Sequence, residues 1–208
     1  SVDRAEAETG IRQYQVSRWR KALRDIPKYR DRLYGKAYAA AFSSGGRHDN
    51  LLGEYEWYTP EAILDAAREV MGGIDLDPAS CELANRVVNA TTYFTEENNG
   101  LEQDWQGRVF LNPPFAHPIV RHFAEKLLDS FGDGSVTEAV WLSNACVDVG
   151  WWQQLASNGI VCFHRGRIKF YGADGQLQPP TLGQTIIYLG DKREQFRKEF
   201  SRFGVVLV

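Results

Sequence analysis

Apolar residues along the chain fall into short continuous runs separated by amphipathic stretches, a strand-and-helix rhythm that becomes regular after residue 57. Val109-Phe110-Leu111, Ala139-Val140-Trp141-Leu142, Ile160-Val161-Cys162-Phe163 and Thr185-Ile186-Ile187-Tyr188-Leu189 have the length and composition of buried strands. Ile74-Asp75-Leu76-Asp77 reads as a short buried strand ending in an acid, residues 91–95 as a β-rich strand, and Val205-Val206-Leu207 as a last strand. Between these, the periodicity predicts helices over about 61–71, 82–89, 119–128 and 149–156. Thr59 is placed to cap the first helix, with Pro60 at its first position and Gly72-Gly73 at its end. Strands alternating with helices at this spacing predict an α/β fold built on a doubly wound, mostly parallel sheet.

The first fifty residues follow a different, all-helical pattern. A short helix is expected over 3–9, Gly10 interrupts it, and a second helix follows over 15–23. Ile11, Val16, Trp19 and Leu23 form the apolar side, leaving Gln15, Ser17, Arg18, Arg20 and Lys21 to solvent or DNA. Helix, glycine turn, then a helix with Gln, Ser and Arg near its start is the layout of a helix-turn-helix. A solvated basic helix that packs Trp19 against the main domain has the same pattern. Residues 29–42 extend as an amphipathic helix suited to pairing two copies into a homodimer or to docking on the larger domain. The polar, glycine-containing stretch 43–50 then separates a unit of residues 1–50 from a domain of residues 51–208.

Length and composition fit that division. The 208 residues suit one α/β domain of roughly 150 residues and a small appendage, and 43% hydrophobic residues suffice for a core. No apolar run approaches the ~20 residues that cross a bilayer, no leader pattern opens the sequence, and Ser1 in place of Met predicts a trimmed start. Cys81, Cys146 and Cys162 are odd in number and scattered, which fits a reduced cytosol rather than a disulfide framework or zinc knuckle. His117 and His122 lack the i, i+4 spacing of a helical metal pair, and His164 has no ligand partner at metal spacing, so no metal is expected. The net charge of −3 conceals an asymmetry: residues 12–36 carry nine Arg and Lys against two Asp. A basic arm on an acidic remainder is compatible with phosphate binding focused in one place.

The most distinctive chemistry sits at Asn112-Pro113-Pro114-Phe115, directly behind the Val109 strand. The Asn112 side-chain oxygen and the Pro113 carbonyl can both accept hydrogen bonds from an exocyclic amine. Neither proline has an N–H to compete, and Phe115 can stack on a planar heterocycle. These residues resemble the Asn/Asp-Pro-Pro-Tyr/Phe motif of amino-methyltransferases acting on DNA. Asp77, at the end of its strand, stands where α/β sheets bind ligands. A carboxylate there can pair with the amino group of S-adenosylmethionine, or simply begin the next helix. Glu96 or Glu97, just past the next strand, can take ribose hydroxyls; Asp104 can accept from an adenine amine or cap a turn. His164, Arg165, Arg167 and Lys169, beside Phe170 and Tyr171, suit phosphate contacts and base stacking, although a charged hairpin rim would look the same.

Taken in order, Trp57-x-Thr59-Pro60, Leu76-Asp77-Pro78-Ala79, Asn85, Tyr93-x-Thr95, Gly100-Leu101, Trp105-x-Gly107-x-Val109, Leu111 through Phe115, and Gly166-Arg167-Ile168-Lys169-Phe170 resemble the phage-encoded DNA N6-adenine methyltransferase family. The resemblance implies S-adenosylmethionine as methyl donor, S-adenosylhomocysteine as product, and double-stranded DNA entered by base flipping. It implies Thr59, Pro60, Asp77 and Pro78 in the cofactor pocket, with Trp57 beside them, and Asn112, Pro113, Pro114 and Phe115 in catalysis. The N-terminal stretch resembles the small transcriptional activators of lambdoid phages, which implies Gln13, Gln15, Ser17 and Arg18 as DNA contacts. A bacterial or phage-infected cytoplasm follows as the setting. Phe115 departs from the commoner Tyr, and Asn98-Asn99 stands where an acid often precedes Gly100. N4-cytosine methylation, a DNA-binding regulator with a degenerate methyltransferase domain, and an RNA or protein-amine methyltransferase remain as alternatives.

Overall fold

The computed structural model describes residues 58–115, 118–171, 177–178 and 182–207. The chain divides into two units, Ser1–Leu51 and Leu52–Val208, and the described residues belong to the second. The expected helix-turn-helix with Gln13, Gln15, Ser17, Arg18, Arg20 and Lys21, the pairing of copies through N-terminal helices, Trp57 and His117 all lie outside the described residues.

Helix α1 (Glu61–Met71) turns Ile63, Leu64, Ala67 and Val70 inward, the i, i+3/i+4 stripe that its sequence encodes. Thr59 does not cap it. Pro60 occupies the cap position with extended backbone, φ −58° and ψ 138°, and no side chain caps the helix. The Pro60 carbonyl accepts instead from the Ile63 and Leu64 N–H groups. At the other end Gly72 adopts φ 79° and donates its N–H to the Arg68 carbonyl, a left-handed stop that glycine makes without steric cost.

Strand β1 (Leu76–Asp77) follows, then α2 (Glu82–Val88), β2 (Thr92–Tyr93), a short 3₁₀ turn (Gly100–Glu102) and β3 (Gly107–Leu111). Next come α3 (Ile119–Gly132), β4 (Val136–Asn144), α4 (Gly150–Asn158) and β5 (Ile160–His164). A small β6 (Phe170–Tyr171) and β7 (Leu177–Gln178) pair with each other, and β8 (Gln184–Leu189), α5 (Arg193–Phe200) and β9 (Gly204–Leu207) complete the order. Seven strands form one sheet, ordered β2-β1-β3-β4-β8-β5-β9. Its first four members pair in parallel, whereas β8 is antiparallel to both β4 and β5, and β9 is antiparallel to β5. Strands β1 through β5 therefore share one direction and β8 and β9 oppose it, so the sheet is mostly parallel. The reversal fits the connection: among the described residues no helix links β5 to β8, and a parallel neighbour needs a crossover.

Helices cover both faces, as the doubly wound expectation requires. Ile63, Leu64 and Val70 of α1 and Phe196 and Phe200 of α5 pack on one; Phe123 and Leu127 of α3 and Trp151 and Leu155 of α4 pack on the other. Helix α5 was not anticipated, because six of its eight residues are charged or polar and only Phe196 and Phe200 face the core.

At the amino edge of the parallel strands, Arg108 donates to Asp75 through Nε at 2.8 Å and Nη2 at 2.6 Å, and its backbone N–H reaches the same carboxylate at 2.8 Å. This fork ties β1 to β3. At the carboxyl edge the backbone is packed more closely. A Cβ on Gly100 would collide with the Pro78 carbonyl and approach Phe94, so Gly100 lets the 3₁₀ turn lie directly on the end of β1. Gly100→Ala is expected to destabilise the protein by about 2 kcal/mol or more, since backbone has to move. Urea denaturation checks this; an unchanged midpoint would exclude the contact.

Candidate functional site

The carboxyl ends of the co-directional strands converge at one edge of the sheet. Leu76 is in register with Val109, and Leu111 with Trp141, so Asp77, Asn112 and Asn144 close three adjacent strands. Alternation assigns them a common face. Phe110, Val140 and Leu142 point into the core layer under α1 and α5, and Asp77, Asn112 and Asn144 share their parity. Gln184 and His164 continue the series on β8 and β5. A row of polar positions therefore lies at this edge, beside the start of α1.

Asp77 is 3% exposed. Its Oδ1 accepts from the Ala79 N–H at 3.2 Å, closing a local turn. Burial pushes its carboxyl up from 3.8 to about 6, opposed only in part by the Ser80 hydroxyl and the Ala79 N–H. No cation among the described residues pairs with it, whereas the acids at the opposite edge are matched: Asp75 to Arg108, and Glu138 to Lys192 at 2.7 Å. A buried carboxylate without a protein counter-ion is destabilising unless a ligand supplies one. A ligand's ammonium group, such as the α-ammonium of S-adenosylmethionine, would supply that counter-ion, so this carboxylate fits such a group. The alternative role of Asp77 as a helix cap is excluded by geometry, because Cys81 caps α2, its Sγ accepting from the Ala84 N–H at 3.4 Å.

Pro78, next to Asp77, is buried, and Thr59 is 7% exposed at the approach to α1, with its hydroxyl not used as a cap. Glu96 and Glu97 are exposed in the turn after β2. Asp104 is exposed; burial lowers the Lys126 ammonium of α3, and the Asp104 charge offsets part of that lowering. The capping that Asp104 might have supplied falls to Asn99, whose side chain accepts from the Leu101 N–H at 3.3 Å.

The Pro-Pro corner is partly exposed. Pro113 is buried and anchors the bend, Asn112 and Phe115 are half-buried, and Pro114 is exposed. Farther along the edge, Arg165, Arg167 and Lys169 are exposed while Ile168 and Phe170 are buried, an alternation that aims the cations outward from a fixed backbone. His164 stacks on Phe203 with ring centroids 6.2 Å apart. Burial holds its imidazole below the ordinary 6.5. It is therefore neutral at pH 7, and the positive charge expected of this segment rests on the other three. An open cleft of about 270 Å³ runs between this segment and the start of α1, lined by Pro60, Ala62, Ile63, His164, Arg167 and Lys169.

Two polar residues of the edge went unnoticed in the sequence. Asn144 and Gln184 face each other at the ends of β4 and β8, each one polar residue (Ser143 or Thr185) beyond an apolar run, which was the available signal. No group of three or more metal-ligating side chains occurs among the described residues. Nor, among them, is any helix long and apolar enough to cross a membrane.

The family model for DNA N-6-adenine-methyltransferase (Dam) matches residues 52–195. A DNA N-6-adenine-methyltransferase of Haemophilus phage HP1 (strain HP1c1) is 29% identical over 121 residues, 55% of this chain. The matched region spans 65% of that relative's length.

The electrostatics of Asp77 carry a direct consequence for the unliganded protein. A carboxyl whose folded value exceeds its unfolded one adds stability at low pH, and that stability is lost as pH rises from about 4 through 6. Asp77→Asn removes the buried charge while keeping the acceptor for the Ala79 N–H. It is expected to stabilise the protein at pH 8 by up to roughly 3 kcal/mol and by almost nothing at pH 4. Urea titrations at the two pH values measure this, and equal effects at both would contradict the assignment.

Proposed function

Because the chain belongs to the DNA N-6-adenine-methyltransferase (Dam) family, we propose that it transfers a methyl group from S-adenosylmethionine to the N6 amine of adenine in duplex DNA. The observation that carries the reading is the pairing, at one sheet edge, of a buried acid lacking a counter-ion among the described residues with a rigid corner rich in acceptors. S-adenosylmethionine supplies the electrophilic methyl carbon, and S-adenosylhomocysteine is left as product. Asp77 holds the donor's α-ammonium, with Thr59, Pro60, Pro78 and Trp57 shaping the rest of its pocket. Glu96 takes the ribose hydroxyls and Asp104 the adenine amine of the donor.

The target adenine is turned out of the duplex, because its amine is unreachable inside the stack. Asn112 Oδ1 and the Pro113 carbonyl accept the two N6 hydrogens and aim the nitrogen lone pair at the methyl carbon. As the N–C bond forms and the C–S bond breaks, positive charge grows on N6, and these same two oxygens stabilise it. The extra proton then passes from N6 to water. Phe115 stacks on the base, and Pro114 keeps the corner stiff, so alignment supplies much of the rate. Arg165, Arg167 and Lys169 contact phosphates. Gln13, Gln15, Ser17, Arg18, Arg20 and Lys21 add contacts from an N-terminal helix-turn-helix, through which two copies pair.

Incubation with labelled S-adenosylmethionine and DNAs of varied sequence, followed by nucleoside analysis, is expected to yield N6-methyladenine. N4-methylcytosine as the product would replace the proposed target, and absence of cofactor binding by calorimetry would favour a regulator. Asn112→Ala should abolish methylation and leave S-adenosylmethionine affinity nearly unchanged; wild-type turnover in that variant contradicts its role. Removal of residues 1–50 should weaken DNA binding more than cofactor binding. Equal DNA affinity at fixed salt would remove the N-terminal unit from the interface.

A further inference from the structure

Gln184 opens β8, yet it is only 2% exposed. Its Oε1 accepts from the Ile168 N–H at 3.0 Å, and its Nε2 donates to the Leu182 carbonyl at 2.5 Å and to Asn144 Oδ1 at 3.4 Å. The acceptor and both donors of one amide are thereby used. Three segments distant in sequence converge on this side chain: the stretch after β5, the approach to β8, and the end of β4. A further bond, from the Ala145 N–H to the Gly183 carbonyl at 2.9 Å, closes the same junction.

The chain could have started β8 with an apolar residue, as it continues with Ile186, Ile187 and Leu189. A buried amide is tolerated only when its partners are present, so it selects one arrangement of the three segments over others. Ile168 lies between the exposed Arg167 and Lys169 and is itself buried, so the bond to its N–H determines where those two cations stand. The bond to Asn144 Oδ1 refers that position to the end of β4, the strand next to the one leading into Asn112, and the bond to the Leu182 carbonyl refers it to the approach to β8.

We propose that Gln184 is a positioning residue that holds the cationic segment 165–169 in register with the polar edge of the sheet, so that duplex DNA bound through its phosphates presents the target base at Asn112. This rests on the methyltransferase reading, and specifically on phosphate contact by Arg165, Arg167 and Lys169.

The test uses the full chain, duplex DNA over a series of salt concentrations, and steady-state kinetics. Gln184→Met keeps the length of the side chain and removes all three bonds. It should weaken DNA binding about tenfold, raise KM for DNA more than it lowers kcat, and reduce the slope of log affinity against log salt by about two. S-adenosylmethionine affinity should hold. The variant with Arg165→Ala, Arg167→Ala and Lys169→Ala should lose a similar slope, and adding Gln184→Met to it should cost less than about twofold more. If the triple variant keeps the wild-type slope, the phosphate reading falls and takes the proposal with it. If the triple variant loses slope and folded Gln184→Met keeps it, the proposal alone is overturned. Gln184→Glu covers the case in which Gln184→Met does not fold. A protonated carboxyl reproduces the donor and acceptor facing Leu182 and Ile168, so its DNA affinity relative to wild type should recover as pH falls from 8 to 5.5. A constant ratio across that range overturns the proposal.

Discussion

Among the described residues, one carboxylate is buried with no cation beside it. Asp77 sits at the end of β1, almost fully removed from water, and its carboxyl titrates near 6 because no cation in the described fold offsets the burial. Proteins rarely keep such a group without use, since neutralising or replacing it would stabilise the empty fold. The acids at the opposite edge show how this chain handles a structural charge. Asp75 is gripped by the Arg108 fork, and Glu138 accepts from Lys192 at 2.7 Å and from the Tyr188 hydroxyl at 2.8 Å. One edge is electrostatically closed. The other, among the described residues, holds a buried acid with no cation beside it.

Sheet direction gives the open edge its contents. With β1 through β5 running the same way, every intervening loop or corner at their carboxyl ends gathers in one place, the general location of ligand sites in open α/β sheets. The parallel half contributes the buried acid and the Pro-Pro corner. The antiparallel insertion of β8 between β4 and β5 brings the cationic segment 165–169 and the cleft beside α1 to the same edge. In the proposed reaction the first half holds the reacting groups and the second holds the polymer that carries one of them.

Much of this was legible before the structure. The buried runs at Val109, Ala139, Ile160 and Thr185 became strands because β-branched and aromatic residues on both faces leave no solvent side. Asp77 and the Asn112 corner were legible because a polar group directly after an apolar run falls at a strand end. The misreadings have equally local causes. Thr59 has a capping side chain, but extended backbone at Pro60 moved the cap one residue on. Helix α5 hid its two core phenylalanines among charges. The orientation of β8 and β9 was invisible because alternation reports which residues are buried and says nothing of direction. Gln184 and Asn144 escaped notice because their meaning lies in hydrogen bonds between segments far apart in sequence.

The most direct measurement is the titration of the Asp77 carboxyl by carbon NMR, with and without saturating S-adenosylmethionine. The account predicts a midpoint near 6 in the free protein, moving below the ordinary carboxylate range when the donor's ammonium is bound. A midpoint that S-adenosylmethionine leaves in place, or lifts, would contradict the claim that this buried acid exists to hold it.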